Sequence, residues 1–269
     1  MSFLSSHWMA SQFIQRIVQN GGTLQENEIH ALNYWCWEND KNGLLSNYIA
    51  YYPFVGGGTG STQSIINFKQ NLISSNYTLT PSTGVTASMC TSKGFQGNGT
   101  NSYWSTNITG STNLNNNNTH LSFYSQTQST GAVKDMGYQN STGSTAFYLS
   151  IFSGATEVAM YNQSGDYLSI PQSSSTGLFS GDRTGSTYVA MYRNGQILSA
   201  NTSSVVGSLT TGVIYLGAVD IYDTLSVNYY SNRMYGMFSI GQSFTAAQEA
   251  LRWQIEQNTQ KILGRQINF

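Results

Sequence analysis

Charged residues are scarce in this chain of 269 residues. They make up 9% of it, against about 25% in an average globular domain. Of the 23 charged side chains, only eleven lie between Gly43 and Asn232. Acid/base catalysis, metal binding and phosphate recognition all depend on such groups. The composition therefore favours a protein that builds or binds surfaces over an enzyme.

Basic clusters, long apolar runs and cysteines are also few. The net charge is −1 and the pI about 6.3, so no nucleic-acid partner is expected, since phosphates require Lys and Arg patches. No apolar run approaches the ~18 residues that cross a bilayer, and Met1–His7 lacks the form of a signal peptide. No membrane partner is therefore expected. Cys36 and Cys90 are interpreted as two buried thiols, with a single disulfide as the alternative.

Helical periodicity occurs at the two ends of the chain. Phe13 and Ile17 recur at helical spacing, and Thr23–Glu26 has the form of a capping box at the start of a second helix. A C-terminal helix is predicted from about Thr245 to Leu263, with Thr245 and Gln248 as its capping box. The N-terminal pair is predicted to form a helical arm.

The central part of the chain is predicted to form short β-strands. Runs rich in Tyr, Phe, Val and Ile are separated by Gly and Asn clusters at about 8–12-residue intervals, as in a sandwich. Asn194-Gly195 lies between two apolar runs and predicts a type I′ hairpin, because both positions tolerate a positive φ. The predicted domains are the helical arm (1–43), a connecting extended segment (44–92) and a sandwich that includes the C-terminal helix (93–269).

Four segments occur in an order that is found in a known family. They are Gly94–Tyr103, with a Gly-rich entry strand, the Asn-Gly strand pair Met191–Ile197, the strand Val213–Ala218, and the closing strand and helix start Arg233–Glu249. Over about Lys93 to Arg265 the chain resembles the concanavalin A-like, laminin-G-like jelly rolls of bacteriophage virion proteins. The resemblance implies a mainly β fold, a two-sheet antiparallel jelly-roll sandwich. It also implies a role among capsid decorations, tail or fibre components and glycan binders.

Candidate catalytic groups are few in the predicted sandwich. Hydrolysis of a glycan needs two carboxylates across a cleft, but Glu157 is the only glutamate between Glu38 and Glu249. The acidic pair in Asp220–Asp223 has a spacing that does not keep both groups on one strand face. His120 is interpreted as a strand residue with a satisfied ring. We expect no enzymatic activity, no catalytic residue and no cofactor.

Two minority hypotheses involve the remaining acidic residues. Asp166 and Asp182 could join backbone carbonyls around calcium, as in some members of the resembled family, although turn positions explain them equally well. No metal site is therefore expected. A saccharide-cleaving enzyme that uses Glu157 or Asp182 is the third functional hypothesis.

The first functional hypothesis is a non-enzymatic structural component of a phage virion, either a capsid decoration or a tail- or fibre-associated protein. Its partners would be other virion proteins, and it would reside in the virion after assembly in the host cytoplasm. A symmetric homo-oligomer is expected. The arm offers an apolar stripe to a neighbour or to its own domain, through Phe13, Ile17, Trp35 and Trp37.

The alternative is a lectin-like receptor-binding module whose partners would be glycans of the host surface. Sugars place their apolar faces on aromatic rings and form hydrogen bonds with amides and hydroxyls, which are abundant here. The other interpretation is that the tyrosines serve strand formation and partial burial. Aromatic pairs and single rings in predicted loops are the candidate platforms: Tyr103-Trp104, Tyr222 and Tyr229-Tyr230, with Trp104, Tyr222 and Tyr230 as the preferred members.

Overall fold

The structure is a computed structural model that describes residues 6–58, 60–129, 131–139, 146–162, 167–207, 211–221 and 227–267. Within these ranges the α-helices are α1 (Trp8–Gln19), α2 (Glu26–Lys41), α3 (Thr62–Phe68), α4 (Gly110–Asn113) and α5 (Ala246–Ile262). Two short 3₁₀ turns, Leu45–Asn47 and Ala87–Met89, lie between them. In the described part of the chain, no helix combines the length and apolar character that a membrane crossing requires.

Most of the remaining described chain forms β-strands. In chain order they are β1 (Tyr48–Tyr52), β2 (Thr80–Pro81), β3 (Cys90–Thr91), β4 (Gly94–Gln96), β5 (Trp104–Thr109), β6 (Asn118–Ser125), β7 (Met136–Gln139), β8 (Ala146–Phe152), β9 (Ala155–Asn162), β10 (Leu168–Pro171), β11 (Gly177–Thr184), β12 (Val189–Arg193), β13 (Gln196–Asn201), β14 (Val213–Leu216), β15 (Val219–Ile221), β16 (Val227–Asn228) and β17 (Met234–Gly241).

These strands form two sheets. One has the order β13-β12-β11-β6-β17-β4-β3, with β1 also paired to β17, and we call it the helix-covered sheet. The other has the order β10-β9-β8-β7-β14-β5-β2, with β15 and β16 attached beside β7, and we call it the open sheet. The pairings are antiparallel apart from β15 with β7, which is parallel. The prediction of a mainly β, two-sheet antiparallel sandwich is therefore confirmed.

The sheets face each other across a core of aliphatic and aromatic side chains. In β8, alternation directs Phe147, Leu149 and Ile151 into this core, and the residues between them point to the outer face of the open sheet. Trp104 on β5 also lies in the core, against Phe95 at a ring-centroid distance of 5.6 Å. Burial of these rings is the main stabilising term of the sandwich.

A second core lies on the outer face of the helix-covered sheet. Tyr124 and Met237, which project from that face, are buried together with Trp35 of α2 and Ile255 of α5. The helices α1, α2 and α5 therefore form a third layer on the sandwich. Of the two alternatives for the arm of residues 1–43, a neighbour or its own domain, the described residues from Ser6 onward follow the second, because the apolar stripe is buried in the core of the chain itself.

Local signals at two turns are confirmed. Asn194 and Gly195 have φ values of 53° and 72°, as the predicted hairpin between β12 and β13 requires. Thr245 caps α5, since its side chain accepts a hydrogen bond from the backbone N–H of Gln248 and the Gln248 side chain accepts one from the backbone N–H of Thr245. Gly264 follows the helix with a φ of 68°.

Three local predictions need correction. The second helix is capped at Gln25 and begins at Glu26, two residues later than a cap at Thr23 would place it. The reason is that the Glu28 carboxylate accepts hydrogen bonds from the backbone N–H groups of Gln25 and Gly56. Residues 44–92 are not a simple connector, since β1 lies in the helix-covered sheet. The same segment contains α3, which the sequence did not predict.

Candidate functional site

The helix layer holds the residues that were predicted to contact a partner. Phe13 and Ile17 lie on the face of α1 that is fully buried, and Trp35 of α2 packs on Tyr51 with a ring-centroid distance of 4.1 Å. These three side chains are buried in the chain's own second core and are not available to a neighbouring protein. Trp37 differs, because it is 41% exposed and meets the ring of His7 edge-on at 5.0 Å.

The outward face of α1 and α2 carries a separate set of apolar side chains, which we call the helix patch: Trp8, Val18, Ile29 and Trp37. Trp8 and Val18 are more than half exposed. Ile29 and Trp37 lie eight residues apart on α2, which places them on one side of that helix. Trp37 was predicted from the sequence and the other three were not, since the sequence of a helix does not reveal which of its sides is covered.

A shallow groove between α1 and α2 includes two members of the helix patch, Val18 and Ile29. Its floor is aliphatic and its rim carries hydroxyl and amide groups: the lining residues are Ser6, Ser11, Ile14, Gln15, Val18, Gln19, Ile29 and Asn33. None of these side chains is ionisable. The groove therefore suits an uncharged surface with apolar side chains at its centre.

The predicted glycan platforms have different surroundings. Trp104 is fully buried in the sandwich core, because alternation along β5 turns it inward, and it cannot serve as a surface platform. Tyr222 lies outside the described residues. Tyr230 is partly exposed and stacks on Tyr103, with ring centroids 6.1 Å apart and planes inclined by 29°.

Tyr230 belongs to a larger group on the outer face of the open sheet, which we call the aromatic strip: Tyr103, Tyr148, Phe152, Tyr215, Tyr229 and Tyr230. Tyr103 meets Tyr215 edge-on at 5.2 Å. Tyr229 is 43% exposed and meets Phe152 edge-on at 5.5 Å. Tyr229 and Tyr230 are consecutive, so they link the Phe152 contact to the contacts of Tyr103. The backbone of Tyr229 lies in the left-handed region, at a φ of 56°.

An ion pair lies within the aromatic strip. The Lys134 Nζ is 3.4 Å from Oε2 of Glu157 and 3.6 Å from the ring centroid of Tyr148. Burial lowers the pKa of Lys134, and the Glu157 carboxylate opposes that effect. The hydroxyl of Ser150, directly across from Glu157 in the β8–β9 pairing, is buried without a hydrogen-bond partner. This grouping has no signal in the sequence, because Lys134 precedes β7 while Glu157 lies on β9.

Half of the other charged side chains in the described part of the chain are buried. Arg252 of α5 is buried against Glu249, and its guanidinium also donates to Tyr48 Oη and Ser122 Oγ, at 3.0 Å and 2.8 Å. On the other side of the core, Arg233 donates to Asp135 at 2.8 Å, and both groups are fully buried. The Arg233–Asp135 pair joins residues that are 98 positions apart, and Arg252, which pairs with Glu249 within α5, ties that helix to Tyr48 and Ser122, so both arginines make structural contacts.

The third functional hypothesis required Glu157 or Asp182 as part of a catalytic pair. Glu157 is on the outer face of the open sheet, bound to Lys134, whereas Asp182 lies under α5 on the outer face of the helix-covered sheet. The sandwich core separates the two groups, so they do not face each other across a cleft. Among the described residues, no group of three or more His, Cys, Asp or Glu side chains could hold a metal ion.

Three residues interpreted as structural are found in that role. The ring of His120 is fully buried, with Nδ1 2.7 Å from the carbonyl of Gln242 and Nε2 2.9 Å from Ser239 Oγ. Burial lowers its pKa well below the usual value. Cys36 and Cys90 are buried free thiols, and burial raises the pKa of each to about 12. Both interpretations are confirmed.

Comparisons with known proteins give a likeness of structure only. No protein-family model and no curated protein sequence matches the chain. The receptor binding domain of botulinum neurotoxin D is similar at a TM-score of 0.46 and 12% identity, over 79% of this chain and 53% of that one. The receptor binding domain of the botulinum neurotoxin C/D mosaic serotype gives 0.47 and 11%, over 78% and 51%. The binding domain of Paraclostridial Mosquitocidal Protein 1 gives 0.46 and 13%, over 80% and 53%. The chain spans about half the length of these structures.

Proposed function

We propose that the chain is a non-enzymatic structural component of a phage virion that attaches to a neighbouring virion protein through the helix patch. The observation that carries this proposal is the exposure of Trp8, Val18, Ile29 and Trp37 on one side of the helix layer. Several large apolar side chains exposed on one layer are a feature of protein interaction sites, since their exposure to water is unfavourable.

The partner proposed for the helix patch is an uncharged surface with aliphatic or aromatic side chains. The groove between α1 and α2 is lined by no ionisable side chain, so a charged partner group would lose its hydration there without compensation. A contact made of apolar and hydroxyl groups also depends little on ionic strength, because salt screens only charges. Such a contact suits a particle that must persist in varied surroundings.

The place of the chain in a virion, as a capsid decoration or as a tail or fibre component, is proposed because its segments between Lys93 and Arg265 resemble the jelly rolls of phage virion proteins. Residence in the particle after assembly in the host cytoplasm follows from the same proposal. The internal use of charged side chains supports the non-enzymatic part, since Asp182, Glu249 and Asp135 are all fully buried. A second copy of the chain on the helix patch is the alternative that the experiment below separates.

The experiment starts from particles of the virus that encodes this chain. Mass spectrometry of purified particles and labelling with an antibody against the chain measure whether it is present at a constant number of copies. The variants Val18→Lys and Ile29→Glu are then introduced separately. Both new charges interact favourably with the dipole of their helix. The positive charge lies near the C-terminal end of α1 and the negative one near the N-terminal end of α2.

Each variant is expected to reduce incorporation about tenfold or more, without change in the thermal unfolding of the isolated chain. The matched controls are Thr202→Lys for Val18→Lys and Thr202→Glu for Ile29→Glu, equal changes of charge at an exposed position of the sandwich, and both should be incorporated normally. Particles that lack the chain, or normal incorporation of both variants, would refute the proposal. Loss of a homo-oligomer in solution without loss of incorporation would assign the helix patch to a second copy instead.

A further inference from the structure

One edge of the helix-covered sheet is open, and we propose that it pairs with the same edge of a second copy of the chain. The edge is β13, the outermost strand on one side of that sheet. The proposed pairing is antiparallel about a two-fold axis, so that two helix-covered sheets become one continuous sheet. The contact lies outside the helix patch and does not depend on the proposed virion role.

The other ends of the two sheets are protected against pairing. In the described chain β2, β3 and β16 are two residues long, so each offers few backbone groups to an added strand. β10 has four residues and ends at Pro171, which has no N–H to donate. β1 is covered, because the Tyr51 N–H donates to Asn71 Oδ1 and the Tyr51 carbonyl accepts from the Leu72 N–H. Short strands, proline and covering segments are the usual means by which proteins prevent pairing at sheet edges.

In the described part of the chain, none of these means protects β13. The strand has six residues, Gln196–Asn201, with no proline and no charged side chain. Gln196, Ile197 and Ala200 are exposed, and Ile197 keeps 51% of its surface in water. In an antiparallel pair, alternate residues direct their N–H and C=O groups away from the neighbouring strand, so part of the β13 backbone is directed away from β12. A row of such groups is complementary to another extended strand.

A β-bulge makes the order of side chains along β13 symmetric. Leu198 is the extra residue of the bulge, because Ile197 and Ser199 pair with consecutive residues of β12. Leu198 packs on the sandwich core, and Met191, the partner of Ser199, is part of that core, so Leu198 and Ser199 both face it. Ile197 and Ala200, on either side of these two, face outward. The pattern of faces over these four positions is therefore the same in both directions of the strand.

This symmetry suits a two-fold axis between Leu198 and Ser199. Two antiparallel copies of β13 then place Ile197 of one copy opposite Ala200 of the other. Leu198 lies opposite Ser199 in the same register. Opposed residues thus share a face, as a continuous sheet requires. Each pair joins a larger side chain to a smaller one, and no pair carries a charge, so neither crowding nor like-charge repulsion opposes the contact.

The occupant that fits this edge is a second copy and not an unrelated strand. A different protein would have to offer an open edge with the same order of faces. A second copy already has one, and a two-fold contact closes both open edges at once.

The test is the association state of the full chain, measured by analytical ultracentrifugation from micromolar to millimolar concentration. The parent is expected to form a dimer. Ala200→Lys and Ile197→Glu should each weaken it about tenfold or more, because a charged side chain on an edge strand opposes the addition of a second strand. Thr202→Lys and Thr202→Glu make the same changes of charge at an exposed position just beyond β13, and both should dimerise like the parent.

A mixture of the two weakened variants tests the register. When Ile197→Glu pairs with Ala200→Lys, the new carboxylate lies opposite the new ammonium group, and the other half of the interface is unchanged. The mixture should therefore form a heterodimer about tenfold or more tighter than the dimer of either variant alone. Thermal unfolding of each variant checks that the fold is retained.

Hydrogen exchange of the unmodified chain gives a result that needs no variant. Backbone amides of β13 should exchange more slowly at high protein concentration than at low concentration, because pairing removes them from water. A parent that stays monomeric at millimolar concentration, equal association of Ala200→Lys and the parent, or a mixture no tighter than its components would overturn the inference. A dimer that Val18→Lys abolishes and Ala200→Lys does not would place the contact at the helix patch and would overturn it as well.

Discussion

Asp182 of β11 and Glu249 of α5 lie side by side beneath the helix layer, and both carboxyl groups reach the single hydroxyl of Ser180. The Ser180 Oγ is 3.3 Å from Asp182 Oδ2 and 2.9 Å from Glu249 Oε1. A hydroxyl has one proton to donate, so the second carboxyl group must bring its own. Desolvation, and then the charge of Glu249, raise the pKa of Asp182 well above its ordinary value of 3.8. Asp182 is therefore the protonated member of the pair.

A pH dependence of stability follows from Asp182. Its pKa is higher in the folded chain than in the unfolded one, so its contribution to stability is complete below the unfolded value and is lost as pH rises through the folded value. Asp182→Asn keeps an acceptor for the Phe244 N–H, 2.7 Å away, and has no proton to lose. We expect the free energy of unfolding of the parent to fall relative to that of the variant as the pH rises above the ordinary aspartate value of 3.8 and through the raised pKa of the folded chain.

Urea unfolding at several pH values measures this difference. Subtraction of the two curves removes the contribution of His120, which titrates in both proteins and acts in the opposite direction, since burial lowers its pKa. A constant difference over the whole range would mean that Asp182 is ionised in the folded chain.

The guanidinium of Arg252 is expected to be essential for the helix layer. It is buried with Glu249 and also donates to Ser122 and Tyr48. Arg252→Met removes it and leaves a buried carboxylate without its cation, at a cost of about 3–5 kcal/mol in the free energy of unfolding. Lys261→Met, on the exposed side of the same helix, should change it by less than about 0.5 kcal/mol. Equal effects in chemical denaturation would contradict the buried position of Arg252.

Two tryptophans of α2 lie on different sides of the helix, one buried in the chain itself and one exposed and available to a partner. Trp35 is 1% exposed and Trp37 is 41% exposed. Trp35→Ala should lower the free energy of unfolding by about 3–5 kcal/mol because it empties part of the second core. Trp37→Ala should lower it by less than about 1 kcal/mol. Thermal unfolding of the isolated variants measures both changes. A larger effect for Trp37→Ala than for Trp35→Ala would show that the Trp37 side of α2, and not the Trp35 side, packs on the sheet.

The β12–β13 hairpin is expected to be held against α5 at its glycine. A Cβ on Gly195 would lie 2.8 Å from the Ala250 Cα and 2.9 Å from the Trp253 Cβ. Gly195→Ala should therefore destabilise the chain by about 2–3 kcal/mol, through both its positive φ and this contact. Gly154→Ala has a similar φ of 81° and nothing within 4 Å, so only about 1 kcal/mol is expected. Similar losses in the two variants would show that the turn does not meet α5.

Local signals in the sequence were enough for some elements of this fold. Asn194-Gly195 specifies its hairpin because few residues tolerate two positive φ values in succession. The capping box of Thr245 and Gln248 fixes the start of α5 in the same local way. Alternation of apolar residues predicted the sandwich, since a strand with one buried face needs a second sheet to cover it.

Other features depend on contacts between distant residues, and the sequence could not show them. The start of α2 depends on Glu28, whose carboxylate binds the backbone of Gly56. Trp104 and Tyr230 look alike as aromatic residues near loops, yet β5 turns the first inward, while the second lies on the outer face. The aromatic strip was predicted only in part, because Lys134 and Glu157 are brought together by the pairing of β7, β8 and β9.

We propose that the helix patch holds this chain to another protein of a virus particle. A structure of the assembled particle at side-chain resolution tests it most directly. We predict that Val18 and Ile29 are buried against an uncharged, apolar surface of a different virion protein. Particles in which these two side chains face solvent, or which do not contain the chain, would contradict the account.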